Sequence, residues 1–212
     1  MNERRRGASR LVIAGVMAMV ALGACHDGGS ATRASSTGRP AAAPPTDSAS
    51  TTQAGAEPCT FSGASAAAHG GDGAATRLLT DVRVGVHDCF ERVTFEFKPM
   101  PGDGAGPVSW KVAYEPGPIT EDGSGRPVAV KGASHLVVHL SAQSADLTKA
   151  DAPPTYTGPT SLQAAGATRI QQVRRTGDFE GYITWVIGLD KARPFKVTTG
   201  DDPSRVIVDV GD

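Results

Sequence analysis

The sequence predicts an all-β fold, a sandwich or barrel of short strands carried by residues 59–212. Three observations lead there. Apolar residues alternate with period two rather than 3.6 in six separate stretches. Clusters of Gly, Pro, Asp and Ser separate those stretches. All of the periodic apolar signal lies in this one part of the chain, whose length of about 150 residues is that of one ordinary domain.

Taken in order, the chain begins with Arg4, Arg5, Arg6 and Arg10, followed by the uncharged apolar run LVIAGVMAMVALGA over residues 11–24. A basic stretch followed by an apolar one has the layout of a secretory signal peptide, and the run falls short of the roughly 20 residues that a membrane-spanning helix needs. Leu22-Gly23-Ala24-Cys25 resembles the bacterial lipobox, in which the cysteine receives a diacylglycerol before cleavage. The resemblance assigns residues 1–24 to a lipoprotein signal peptide and makes Cys25 the acylated, palmitate-bearing first residue of the mature protein. The competing reading is a soluble secreted protein with an incidental cysteine. Three cysteines leave one unpaired in an oxidising compartment. Lipidation of Cys25 accounts for the odd one and leaves Cys59 and Cys89 to pair with each other. Neither of these belongs to a C-x-x-C, so a metal site is the weakest option.

Residues 26–58 contain no Val, Ile, Leu, Met, Phe, Trp or Tyr. Such a stretch cannot offset the entropy of ordering, so residues 25–58 read as a disordered Ala/Ser/Thr/Pro linker with a span of roughly 30 Å. Its composition suits O-glycosylation and an unmodified linker equally well.

Within 59–212 the alternation runs through Val82, Val84 and Val86; Val93, Phe95 and Phe97; Trp110, Val112 and Tyr114; Leu136, Val138 and Leu140; Ile183, Trp185, Ile187 and Leu189; and Val206, Val208 and Val210. The intervening turn clusters are residues 101–104 (PGDG), 122–125 (DGSG) and 200–203 (GDDP). Residues 142–173 read mostly as loop, with 161–173 a short helix or an irregular approach to a strand. Two internal echoes suggest a duplication: FERVTFEF (90–97) beside PSRVIVDV (203–210), and Val82-Arg83 with Asp88-Cys89-Phe90-Glu91 beside Val173-Arg174 with Asp178-Phe179-Glu180.

Composition excludes some function classes. Lys and Arg total 21 against 22 Asp and Glu, so there is no basic excess for nucleic acid. His135-Leu-Val-Val-His139 lacks the glutamate of H-E-x-x-H, and on a strand the two histidines stand about 13 Å apart, too far to share a metal. No G-x-S-x-G occurs, and Ser124 sits in a glycine-rich turn. The acid pairs Asp178/Glu180 and Glu91/Glu96 are of a kind that any acidic sandwich surface offers. No catalytic residue, metal or cofactor is expected.

The stretches DVRVGVHDCFERVTFEF (81–97), GDFEGYITWVIGL (177–189), PFKV (194–197) and PSRVIVDV (203–210) together resemble the AMIN-like domain of bacterial, actinobacterial-type envelope lipoproteins. The resemblance covers most of residues 78–212 and departs from the usual pattern at Cys89, where a small residue, often glycine, is expected. It implies a single β-sandwich of short, mainly antiparallel strands. It also implies a non-catalytic module exported to the outer face of the cell membrane, engaging envelope glycan (peptidoglycan) or an envelope protein. The alternative is a small extracytoplasmic hydrolase or a soluble-ligand carrier. Within the matching motifs the candidate binding residues are His87, Glu180, Arg83, Arg92, Phe90, Phe179 and Arg205. Of these, His87 and Glu180 lead, because polar side chains in turns are hard to explain by packing. Arg92 and Arg205 also suit salt bridges to Asp209 or Glu96, and Phe90, Phe179 and Trp185 also suit the core.

Overall fold

In the computed structural model, residues 59–72, 75–102 and 106–212 are described. The expected signal peptide, the expected acylation site Cys25 and the expected linker fall on residues 1–58, outside the described residues.

The strands are β1 (Ala68–Gly70), β2 (Arg77–Val86), β3 (Phe90–Pro99), β4 (Trp110–Tyr114), β5 (Ser134–Leu140), β6 (Ala142–Gln143), β7 (Ser161–Leu162), β8 (Ile170–Phe179), β9 (Tyr182–Leu189), β10 (Phe195–Asp201) and β11 (Ser204–Gly211). There is no helix among the described residues. A six-stranded sheet has the order β1-β4-β5-β9-β8-β7 and a five-stranded sheet the order β10-β11-β3-β2-β6. Every pairing is antiparallel except β2 with β6. The fold is the expected β-sandwich.

Alternation puts one side of each strand into the space between the sheets. From the five-stranded sheet come Val93, Phe95, Phe97, Val206, Val208 and Val210, and from the six-stranded sheet Val112, Leu136, Val138, Leu140, Ile183, Trp185 and Ile187, all in one cluster. Trp185 sits at its centre, with ring centroids 5.9 Å from both Phe95 and Tyr156. Burying such side chains contributes roughly 1.5–3 kcal/mol each.

The six-stranded sheet is also covered on part of its outer face. Residues 115–133 fold back over it, closed by Val128 N–H to Ile119 C=O (2.8 Å) and Glu121 N–H to Arg126 C=O (2.8 Å). This flap buries Ile119, Val137 and Val186 in a second, smaller core with Val128 and Val130. Consequently β9 is buried on both faces from Ile183 to Leu189.

The reading of 142–173 as mostly loop holds, and of the two readings of 161–173 the structure shows the irregular approach to a strand, not the helix. There β7 is followed by a turn and β8 starts at Ile170. Long strand β8 escaped the alternation test because its register shifts twice, between Ile170 and Gln172 and between Arg175 and Gly177. Each bulge inverts the inside-outside phase.

Candidate functional site

Five of the seven residues singled out from the sequence gather on the outer face of the five-stranded sheet and its β2–β3 turn, while Phe179 and Glu180 lie apart. His87 lies in the turn between β2 and β3, with its ring stacked on Phe90 at 4.5 Å. The Arg92 guanidinium lies 5.0 Å from the Phe90 ring centroid and makes two hydrogen bonds to Asp209, at 2.6 and 2.8 Å. Hydrogen bonding to Asp209 raises the Arg92 pKa further above its ordinary value. Cys59 and Cys89 form a disulfide at this corner, Cα to Cα 5.1 Å. Arg83 and Arg205 stand on the same outer face, level with Thr94 and Glu96, the next two outward positions of β3 after Arg92. Arg83 donates to Asp81 (2.6 Å) and Glu96 (3.1 Å), and Arg205 to the carbonyls of Pro203 and Asp202. The salt-bridge reading therefore holds for Arg92 with Asp209, while Glu96 takes Arg83 instead of Arg205.

Phe179 and Glu180 occupy the tip of the β8–β9 hairpin. Glu180 (φ 51°) and Gly181 (φ 81°) both take positive φ, the geometry of a two-residue type I′ turn. Phe179 is 60% exposed and faces Tyr182, 61% exposed, across the hairpin, so the core reading of Phe179 is overturned. Gly181 lies beside Thr76, which precedes β2, whereas His87 follows the end of β2. The length of β2 thus separates the two leading candidates, about 30 Å.

A different surface gathers chemistry that the sequence reading missed. Register puts His69 opposite Lys111, Lys111 opposite His139, His139 opposite Thr184, and Thr184 opposite Gly177. Directly opposed residues share a face, so these form one row across β1, β4, β5, β9 and β8 on the outer side of the six-stranded sheet. The Thr184–Gly177 end of the row meets the 115–133 flap. Asp122, at the tip of that flap, stands directly over Gly177, where any Cβ would collide with its carboxylate. The flap is fastened by Asp122 N–H to Thr176 C=O (3.1 Å). Its turn is stiffened by Glu121, which accepts from Arg126 Nη2 (2.7 Å) and Ser124 Oγ (3.0 Å). These bonds, Arg126 foremost, hold the Glu121 carboxyl below the usual range.

Thr184 Oγ1 lies 2.5 Å from Asp122 Oδ2 and 3.1 Å from His139 Nδ1. An ionised carboxylate only accepts, so the hydroxyl donates to Asp122 and Nδ1–H donates to the hydroxyl oxygen. Around this chain lie two adjoining clefts of about 180 and 530 Å³ that share Asp122, His139 and Thr184. Tyr182, Trp110, Lys111 and His69 line the larger one. Thr176, 7% exposed, lines the smaller. Among the described residues, four buried side-chain polar atoms have no hydrogen-bond partner, and one of them, Thr176 Oγ1, belongs to a residue lining this groove, whereas the Trp110 indole packs on the core side of β4. Such atoms carry a desolvation cost that a ligand's polar group relieves. No group of three or more His, Cys, Asp and Glu gathers as a metal site among the described residues.

The family model of the AMIN-like domain matches residues 77–212. The chain belongs to the AMIN-like domain family. No curated protein and no solved structure matches it. The AMIN-like span opens at Arg77, the first residue of β2, so Cys59, Phe61 and β1 with His69 lie ahead of it. The disulfide joins that leading segment to the AMIN-like domain, and β1 completes one edge of the groove. Membership is consistent with an extracytoplasmic, envelope-associated module.

Proposed function

We propose that the protein is an exported, lipid-anchored, non-catalytic binding module that presents its AMIN-like domain to envelope glycan. Its contact surface in this reading is the groove on the outer face of the six-stranded sheet. The anchor rests on the basic and apolar stretches of residues 2–24 and the lipobox-like residues ending at Cys25. The observation that carries the binding role is the groove itself, an open polar row bordered by exposed Tyr182, with the unpartnered buried hydroxyl of Thr176 in its wall. A hydroxyl-rich chain with apolar ring faces satisfies both kinds of surface.

Co-sedimentation of the full chain, in detergent, with isolated cell-wall sacculi tests this reading. Saturable binding is expected, weakened about tenfold by Asp122→Ala through loss of charge-assisted hydrogen bonds and unchanged by His87→Ala. Absence of sedimentation, or loss with His87→Ala alone, overturns it.

A further inference from the structure

Four charged side chains are buried among the described residues: Arg77, Glu91, Asp146 and Asp209. Three of them meet an opposite charge, Glu91 with Arg169 at 3.7 Å, Asp146 with Lys149 at 3.6 Å and Asp209 with Arg92 at 2.6 Å. Arg77, 4% exposed, makes no ion pair among the described residues. Its Nη2 donates to the carbonyl of Gly106, and its Nε has no hydrogen-bond partner. Arginine side chains keep their charge when buried, so the loss of hydration stays uncompensated until an anion arrives. Strand phase puts the charge there. In the β2–β3 ladder Leu79 stands opposite Phe97 and Arg77 opposite Pro99, and Leu79 and Phe97 belong to the core. Two positions from Leu79 on the same face, Arg77 points between the sheets, one rung beyond that apolar pair. At this end the sandwich opens into a cleft of about 660 Å³ that Arg77 lines together with Phe97, Pro99, Pro107 and Pro203. The cleft shares no lining residue with the groove.

We infer that this cleft is a second binding site, independent of the groove, for a small molecule that carries one carboxylate on an apolar body. The carboxylate meets Arg77, and the body rests on Pro99, Pro107 and Pro203. A guanidinium presents planar, paired donors that match a carboxylate. The proline rings offer apolar surface and no donor, which is the usual wall of a small-molecule site oriented by one polar group. Ser204 is the one neutral polar side chain of the lining, so the cleft offers little to the many hydroxyls of a glycan. The remaining lining charges are Lys98, Asp201 and Asp202, which together with Arg77 sum to zero. That leaves no surplus of positive charge for a phosphate or a polyanion, and the two acids oppose a second negative charge on the ligand.

The probes are hydrocinnamate, its neutral amide and phenethyl phosphate. Each is titrated into the ¹⁵N-labelled full chain in detergent while the Arg77 Nε–H signal is followed, that signal being assigned by its loss in Arg77→Met. The expected result is saturable movement with hydrocinnamate, the amide and the phosphate each binding about tenfold more weakly. The same variant checks the free chain. With no internal ion pair to lose, Arg77→Met is expected to leave the urea midpoint unchanged or raised, and to abolish hydrocinnamate binding. A silent Arg77 signal, equal affinity for acid and amide, or tighter binding of the phosphate overturns the inference. So does a lowered midpoint for Arg77→Met, which would show that the chain itself pairs the guanidinium. The groove reading stands or falls separately, on the Asp122→Ala sedimentation result.

Discussion

Glu91 is fully buried, yet its carboxylate is the most heavily bonded acid described. It accepts from the backbone N–H of Thr168 (2.7 Å), Arg169 (3.0 Å) and Ile170 (2.7 Å), and Arg169 Nη1 stands 3.7 Å away. These bonds tie the start of β3 in one sheet to the start of β8 in the other. Burial pushes the carboxyl up, but the backbone donors and the Arg169 charge outweigh it and hold Glu91 below its ordinary range. A depressed folded pKa means a contribution fully present above the unfolded value of about 4.3 and lost as pH falls through the lower folded value. Asp212, held to about 2 mainly by Arg169 and also by Arg193, loses its contribution in the same acid region. Glu91→Ala is expected to cost about 3–5 kcal/mol in urea denaturation at pH 7, because it strands buried donors. Glu91→Gln is expected to cost less and to lie closer to the unaltered protein at pH 3 than at pH 7. A gap that stays constant with pH would contradict this account. In the sequence Glu91 shows only as one acid near another, Glu96, and nothing local announces that a turn 77 residues away aims its amides there.

At the scale of elements, period-two alternation was readable in most strands that ran without interruption and faced the core on one side; uninterrupted β10 escaped it because only its first residue is buried and its end falls in the GDDP turn cluster. Strands β3, β5 and β11 show this in Phe95, Val138 and Val208, each buried at the expected phase. It failed where geometry breaks the period, as in twice-bulged β8, or where the strand is too short, as in β1, β6 and β7. The first echo between FERVTFEF and PSRVIVDV has a structural counterpart: the two strands are antiparallel neighbours, with Arg92 opposite Asp209 and Arg205 opposite Glu96. The Cys59–Cys89 pairing, legible from the cysteine count, bridges 30 positions and pins the leading segment to the β2–β3 turn. Loop-closure entropy for that separation amounts to about 3–4 kcal/mol. Reduction, or the Cys59→Ser/Cys89→Ser double variant, should therefore lower the stability of the full chain by about this much in denaturant titration. An unchanged midpoint would show that the segment is held without the bridge.

For the molecule as a whole, the functional question turns on which face of the sandwich is used. Motif reasoning pointed to turn residues at both ends, His87 and Glu180, because a turn is a local feature that a sequence displays. The groove is not local: its row draws on residues 69, 111, 139 and 184, from four strands, and its rim on Asp122 from a flap. Only the strand register brings them together, so alternation could place Lys111 on the polar face of its strand without revealing its neighbours. The one hint in the sequence was Asp122 in its DGSG turn, which the flap then carries over Gly177. The most direct test of the central claim is to titrate solubilised peptidoglycan glycan strands into the ¹⁵N-labelled full chain in detergent and map the amide shifts. The account expects the perturbed amides to cluster at Lys111, Asp122, His139, Tyr182 and Thr184. Shifts confined to the corner of His87, Phe90 and Arg92, with the groove silent, would contradict it.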